Sequence, residues 1–107
     1  MNCTRTLLSA AAGALLFVGV ADAAEYEVVQ KNKTFSVKEL TIKAGDTVKF
    51  TNEDEFFHNV FSLSDLKTFD LGSYPKGEYK SITFDKAGKV EVECAIHPSM
   101  LMTINVE

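Results

Sequence analysis

Arginine occurs once in these 107 residues, at position 5, and tryptophan does not occur at all. Cysteine, histidine and proline occur twice each and methionine three times. Each scarcity excludes something. One arginine and a net charge of −4 leave no basic stripe for nucleic acid and no cationic face for an anionic membrane. Cys3 falls in a leader-like segment, so the remaining chain has Cys94 alone and cannot close an internal disulfide, although small exported domains usually rely on them. No repeat, low-complexity tract or linker interrupts the chain, and no window carries a convincing helical stripe.

The leader reads as a secretory signal over residues 1–23. It has a short polar start with Arg5, an apolar stretch from Leu7 to Val20, and Ala21-Asp22-Ala23 as a small-x-small cleavage site. The apolar run is shorter than the roughly 20 residues a membrane span needs, so the expectation is cleavage after Ala23 and no membrane insertion. What remains, Ala24 to Glu107, is one small domain of a size at which a core is marginal and a metal or partner usually helps. Asn32-Lys33-Thr34 fits the N-glycosylation pattern, which matters only in a glycosylating pathway.

Strand periodicity dominates the domain. In "ELTIKAGDTVKFTNED", Leu40, Ile42 and then Val48, Phe50 alternate with polar residues around a turn at Ala44-Gly45-Asp46. "HNVFSL" is β-rich. "KSITFDKAGKVEVEC" places Ile82 and Phe84 before a turn at Lys86-Ala87-Gly88, then sets Val90, Val92 and Cys94 in one phase against Glu91 and Glu93. Cys94 therefore points inward at a strand end. Alternation resumes after Pro98 with Met100, Met102, Ile104 and Val106. Short strands and frequent turns predict an all-β antiparallel sandwich or barrel, with Ser64 to Lys80 as a long loop crossing between sheets.

The scarce residues cluster. Cys94, His97, Met100 and Met102 lie within nine positions, "CAIHPSMLM", and the other histidine, His58, opens the "HNVFS" strand after a polar turn. A turn at a strand end can bring the Cys94 sulfur and a His97 nitrogen to one point, and a methionine from the next strand can add a weak thioether. Alternation leaves Met100 and Met102 equally eligible. Two imidazoles, one thiolate and a long thioether contact make the trigonal copper site used for electron transfer.

"AGDTVKFTNEDEFFHNV" and "DKAGKVEVECAIHPSM" resemble the two ligand segments of the cupredoxins, the small blue copper proteins, in the right order and over most of the chain from about Leu40 onward. The resemblance implies a single-domain, eight-stranded Greek-key β-sandwich with one copper ion at one end, cycling between Cu(I) and Cu(II). It carries the ligand roles onto His58, Cys94, His97 and Met100. Cys-x-x-His-Pro-x-Met looks most like the amicyanin loop; plastocyanin and pseudoazurin leave four residues between His and Met, a spacing that comes with a loop-bulging residue where this chain has Leu101. Asn59 matches the residue that hydrogen-bonds across to the cysteine loop, a tie that fixes ligand geometry. Ile96 stands where amicyanin and plastocyanin have proline, and it offers an N–H toward the Cys94 sulfur. Phe57 stands where they often have proline before the first histidine.

Read this way, the protein is a periplasmic, monomeric one-electron carrier between redox proteins such as a c-type cytochrome and a dehydrogenase or oxidase. The alternative is a copper tolerance or delivery protein, but the Met- or His-rich tracts that would favour it are missing. An enzyme is not expected: a thiol nucleophile wants an electropositive setting, whereas Cys94 ends a strand beside Glu91 and Glu93, and a multicopper enzyme needs further histidines. Glu53-Asp54-Glu55 reads as a solvated turn. Phe56, Phe57, Pro98 and Leu101 are placed to form an apolar rim around an exposed edge of His97, and the phenylalanines are equally eligible for the core.

Overall fold

The computed structural model describes residues 23–107. The predicted leader lies outside the described residues except for Ala23. Nine strands follow in order: β1 (Glu25–Lys31), β2 (Thr34–Phe35), β3 (Glu39–Ile42), β4 (Asp46–Asn52), β5 (His58–Ser62), β6 (Phe69–Tyr74), β7 (Tyr79–Phe84), β8 (Gly88–Glu93) and β9 (Leu101–Val106). They form two facing sheets, β2-β1-β4-β7 and β3-β9-β8-β5-β6.

The alternating residues of the two sheets meet in one core. Val28, Val48, Phe50 and Phe84 come from the four-stranded sheet, and Val60, Val90, Val92, Met102 and Ile104 from the five-stranded one, all almost fully buried. Both turns legible in the sequence are places where the chain changes sheet. Between β3 and β4, Gly45 takes φ 101°, open to glycine and strained for other residues, and its N–H donates to Phe84 O at 2.7 Å. Between β7 and β8 the chain crosses back, and Gly88 turns at φ 142° beneath Leu66.

Three expectations need correction. The pairing is not wholly antiparallel: β1 runs parallel to β4, and β3 parallel to β9. The strand count is nine among the described residues, the additional element being the two-residue β2 paired with the end of β1. Residues 64–80 are not one loop, since β6 forms an edge of the five-stranded sheet beside β5. Its alternation was illegible because it changes phase. Phe69 and Leu71 are partly buried, Gly72 turns at φ 79°, and Tyr74 rather than Ser73 is buried, with a register shift against β5 between Asn59 and Phe61.

The topology brings three segment ends together. β5 is antiparallel to β8, with Phe61 opposite Glu93, and β8 to β9, with Glu93 opposite Leu101. The start of β5, the end of β8 and the start of β9 therefore share one end of the sandwich.

Candidate metal centre

His58 is the first residue of β5 and is fully buried. Cys94 lies one residue beyond β8, continues the inward phase of Val90 and Val92, and is 1% exposed. His97 sits in the turn that follows and is half-buried. The ligating atoms of these three all lie within 4.8 Å of one another. Cys94 Sγ is 3.7 Å from His58 Nδ1, and His97 Nδ1 is 3.1 Å from the same His58 nitrogen. Two nitrogens at that separation can each stand about 2 Å from a common ion.

His97 is held in the loop by the hydrogen bond from Met100 N to His97 O, 2.9 Å, which closes the turn Cys94 leads into. Burial, followed by the charges of nearby His58 and Lys33, lowers the His97 imidazole's proton affinity below its ordinary value and favours the neutral ring that a metal needs. Both candidate methionines are buried. They differ in position: Met102 lies inside β9, opposite Val92, whereas Met100 precedes the strand at the histidine end.

Around the ligands, Asn59 Oδ1 accepts the N–H of Ala95 at 2.6 Å, joining β5 to the cysteine loop. Ile96 follows Ala95 in this loop, and its side chain is 47% exposed. Phe56, Phe57 and Leu101 are exposed, as is Pro98, and the Phe56 ring lies 5.0 Å from that of His97. These four are thus surface residues, and the two phenylalanines are not core.

The acidic run splits. Glu53 and Glu55 are exposed, as a solvated turn requires, but Asp54 is 5% exposed and its Oδ2 lies 2.7 Å from His58 Nε2. Burial pushes the Asp54 carboxyl up, but the Lys33 N–H, the His58 imidazole and the Asn32 N–H together outweigh it and hold the pKa down at about 2. Only the spacing of four residues between Asp54 and His58 could have hinted at this contact. Behind the site, burial and then the nearby Cys94 charge raise the Tyr74 phenol above its ordinary value; its hydroxyl stands 2.7 Å from Gln30 Oε1.

The donor set fits copper: one thiolate and two imidazoles are soft and borderline ligands, with His58 and Cys94 buried, His97 half-buried and no carboxylate among the three. The model of the copper-binding proteins of the plastocyanin/azurin family matches residues 23–107. Amicyanin from Paracoccus denitrificans is 33% identical over 91 residues, covering 82% of this chain and 69% of that one. Methylamine utilization protein MauL from Methylorubrum extorquens is 31% identical over 87 residues, covering 80% and 76%. Among solved structures, a Cu(I) form of an amicyanin variant superposes with a TM-score of 0.73 at 29% identity, covering 84% of this chain and 88% of that chain.

Proposed function

We propose, from a chain that belongs to the plastocyanin/azurin family of copper-binding proteins, that this protein is an exported one-electron carrier working between redox proteins in the periplasm. The observation that carries the reading is the trio His58, Cys94 and His97, brought within 4.8 Å of one another by three different segments. Copper bound there supplies a one-electron couple between Cu(I) and Cu(II).

The chain's own residues do the remaining work. Copper would be held by His58 Nδ1, His97 Nδ1 and Cys94 Sγ, and Met100, whose own N–H closes the turn after His97, would add a weak thioether contact. Because β5, β8 and β9 fix these groups in a packed core, little need move when the electron is transferred. The buried side of the site excludes water. His97 faces outward within a rim of Phe56, Phe57, Pro98 and Leu101, which gives a redox partner an apolar surface to dock on and an imidazole edge to conduct through. A dehydrogenase as donor is in keeping with the relative named for methylamine utilization, and a c-type cytochrome is a suitable acceptor. No catalytic nucleophile or second metal site is required of the protein.

Cleavage after Ala23 would also suit one contact of the domain. Ala24 N lies 2.8 Å from Asp46 Oδ1. Cleavage after Ala23 turns that N–H into an α-ammonium beside a carboxylate, so the new terminus is neutralised where it is made.

Electrochemistry of copper-loaded protein tests the reading. The expected result is a reversible one-electron couple and rapid exchange with a small redox protein. Irreversible electrochemistry, together with ready transfer of copper to a chelator or apo-protein, would instead favour copper delivery.

A further inference from the structure

His58 has two ring nitrogens and both are committed. Nδ1 faces Cys94 and His97, and Nε2 stands 2.7 Å from Asp54 Oδ2 in a setting where His58 is fully buried. A carboxylate can only accept, so Nε2 carries the proton and Nδ1 keeps its lone pair free for a metal. The carboxylate is itself fixed from a remote part of the chain. Oδ1 accepts Asn32 N–H at 2.7 Å and Oδ2 accepts Lys33 N–H at 3.0 Å.

Asn32 and Lys33 form the two-residue turn between paired Lys31 and Thr34, with φ 55° and 58°. Two consecutive left-handed residues are what this hairpin turn demands, and here both N–H groups reach one carboxylate. Asn52 locks the other side: its Oδ1 accepts Asp54 N–H at 2.8 Å while its Nδ2 donates to Phe56 O and Tyr74 O, each at 2.9 Å. The acceptor behind the histidine is therefore a full negative charge, held rigidly, at a place where a neutral acceptor would serve orientation equally well.

We propose that Asp54 is a positioning residue for the copper site, fixing the tautomer and orientation of His58 and, through its charge, making that imidazole a stronger donor, with the Asn32-Lys33 turn as its clamp. The inference rests on the electron-carrier reading and adds to it how the potential is set. A stronger donor, with a negative charge close behind it, stabilises Cu(II) more than Cu(I) and so lowers the reduction potential. A backbone carbonyl in the same place would give the orientation without the charge.

The test is Asp54→Asn in copper-loaded protein. The expected result is a protein that still binds copper and absorbs visible light, with a more positive potential and a Cu(II) affinity that falls by a larger factor than its Cu(I) affinity. A folded variant with unchanged potential and equal losses for the two ions would overturn the proposal and leave Asp54 a purely structural residue. Should that variant not fold, nitrogen-15 NMR of wild-type Cu(I) protein decides. A slowly exchanging His58 Nε2–H is expected, and a proton on Nδ1 or a fast-exchanging Nε2–H would contradict it. A wild type with no reversible couple would refute the electron-carrier reading itself, whereas a normal wild-type couple with no shift in Asp54→Asn refutes this inference alone.

Discussion

Asn59 Oδ1 and Ala95 N are 2.6 Å apart, so a single hydrogen bond joins the residue after His58 to the residue after Cys94. The two strands that supply these ligands are otherwise paired nearby only at Phe61 and Glu93. The bond therefore fixes the separation of the imidazole and the thiolate more directly than sheet pairing does. Asn59→Ala should cost about 1 kcal/mol of stability and lower copper affinity by roughly 10- to 100-fold, as loss of such outer contacts does. Chelator competition measures the affinity. An unchanged value would mean the loop holds its shape without Asn59.

Met100 and Met102 are both buried, but only Met100 lies before β9 at the histidine end. Met100→Leu should raise the reduction potential and perturb the visible spectrum, since loss of an axial sulfur disfavours Cu(II). Met102→Leu nearly conserves volume in the core and should cost under about 1.5 kcal/mol while leaving the spectrum alone. The opposite pair of results would reverse the assignment.

Asp46 accepts Ala24 N–H at 2.8 Å and Lys43 N–H at 2.9 Å, and these bonds, Ala24 first, hold its carboxyl below the ordinary range. A folded pKa below the unfolded value of about 3.9 means that the folded state prefers the ionised form. The stabilisation is thus complete above about pH 4 to 5 and is lost as the pH falls through the folded pKa. Denaturant midpoints of the wild type and Asp46→Asn should differ at pH 7 and converge in strong acid. A gap independent of pH would remove the carboxylate from the explanation.

A metal held by β5, the loop after β8 and the approach to β9 ties three segments together, and binding to the folded state alone stabilises it. At a thousandfold excess over Kd the gain is about 4 kcal/mol, which for a domain of this size raises Tm on the order of 15 °C or more. Calorimetry of copper-free and copper-loaded protein checks this. Equal melting temperatures would place the ion outside the fold.

The alternation of Val48 and Phe50, of Val90, Val92 and Cys94, and of Met102 with Ile104 made most strands and the inward thiol legible, because each lies in a sheet with one buried face. β6 was hidden by the phase change at Gly72, which no period-2 pattern can register. β1 and β2 fall before the segments that carried the family resemblance. The trio His58, Cys94 and His97, which the fold brings within 4.8 Å, was legible because these residue types are so rare in the chain. Asp54 was not, because the two N–H groups that make its burial tolerable come from a turn more than 20 residues upstream, joined to it only by folding.

The central claim is that Cys94 sulfur and two imidazole nitrogens hold one copper ion as a redox centre, and the visible spectrum of oxidised, copper-loaded protein tests it most directly. Thiolate-to-copper charge transfer should give the wild type an intense visible band, and Cys94→Ser, which keeps the size of the side chain but removes the sulfur, should abolish it while the sandwich stays folded by circular dichroism. A wild type that binds copper stoichiometrically under oxidising conditions and stays colourless, or a Cys94→Ser variant that keeps the band, would contradict the account.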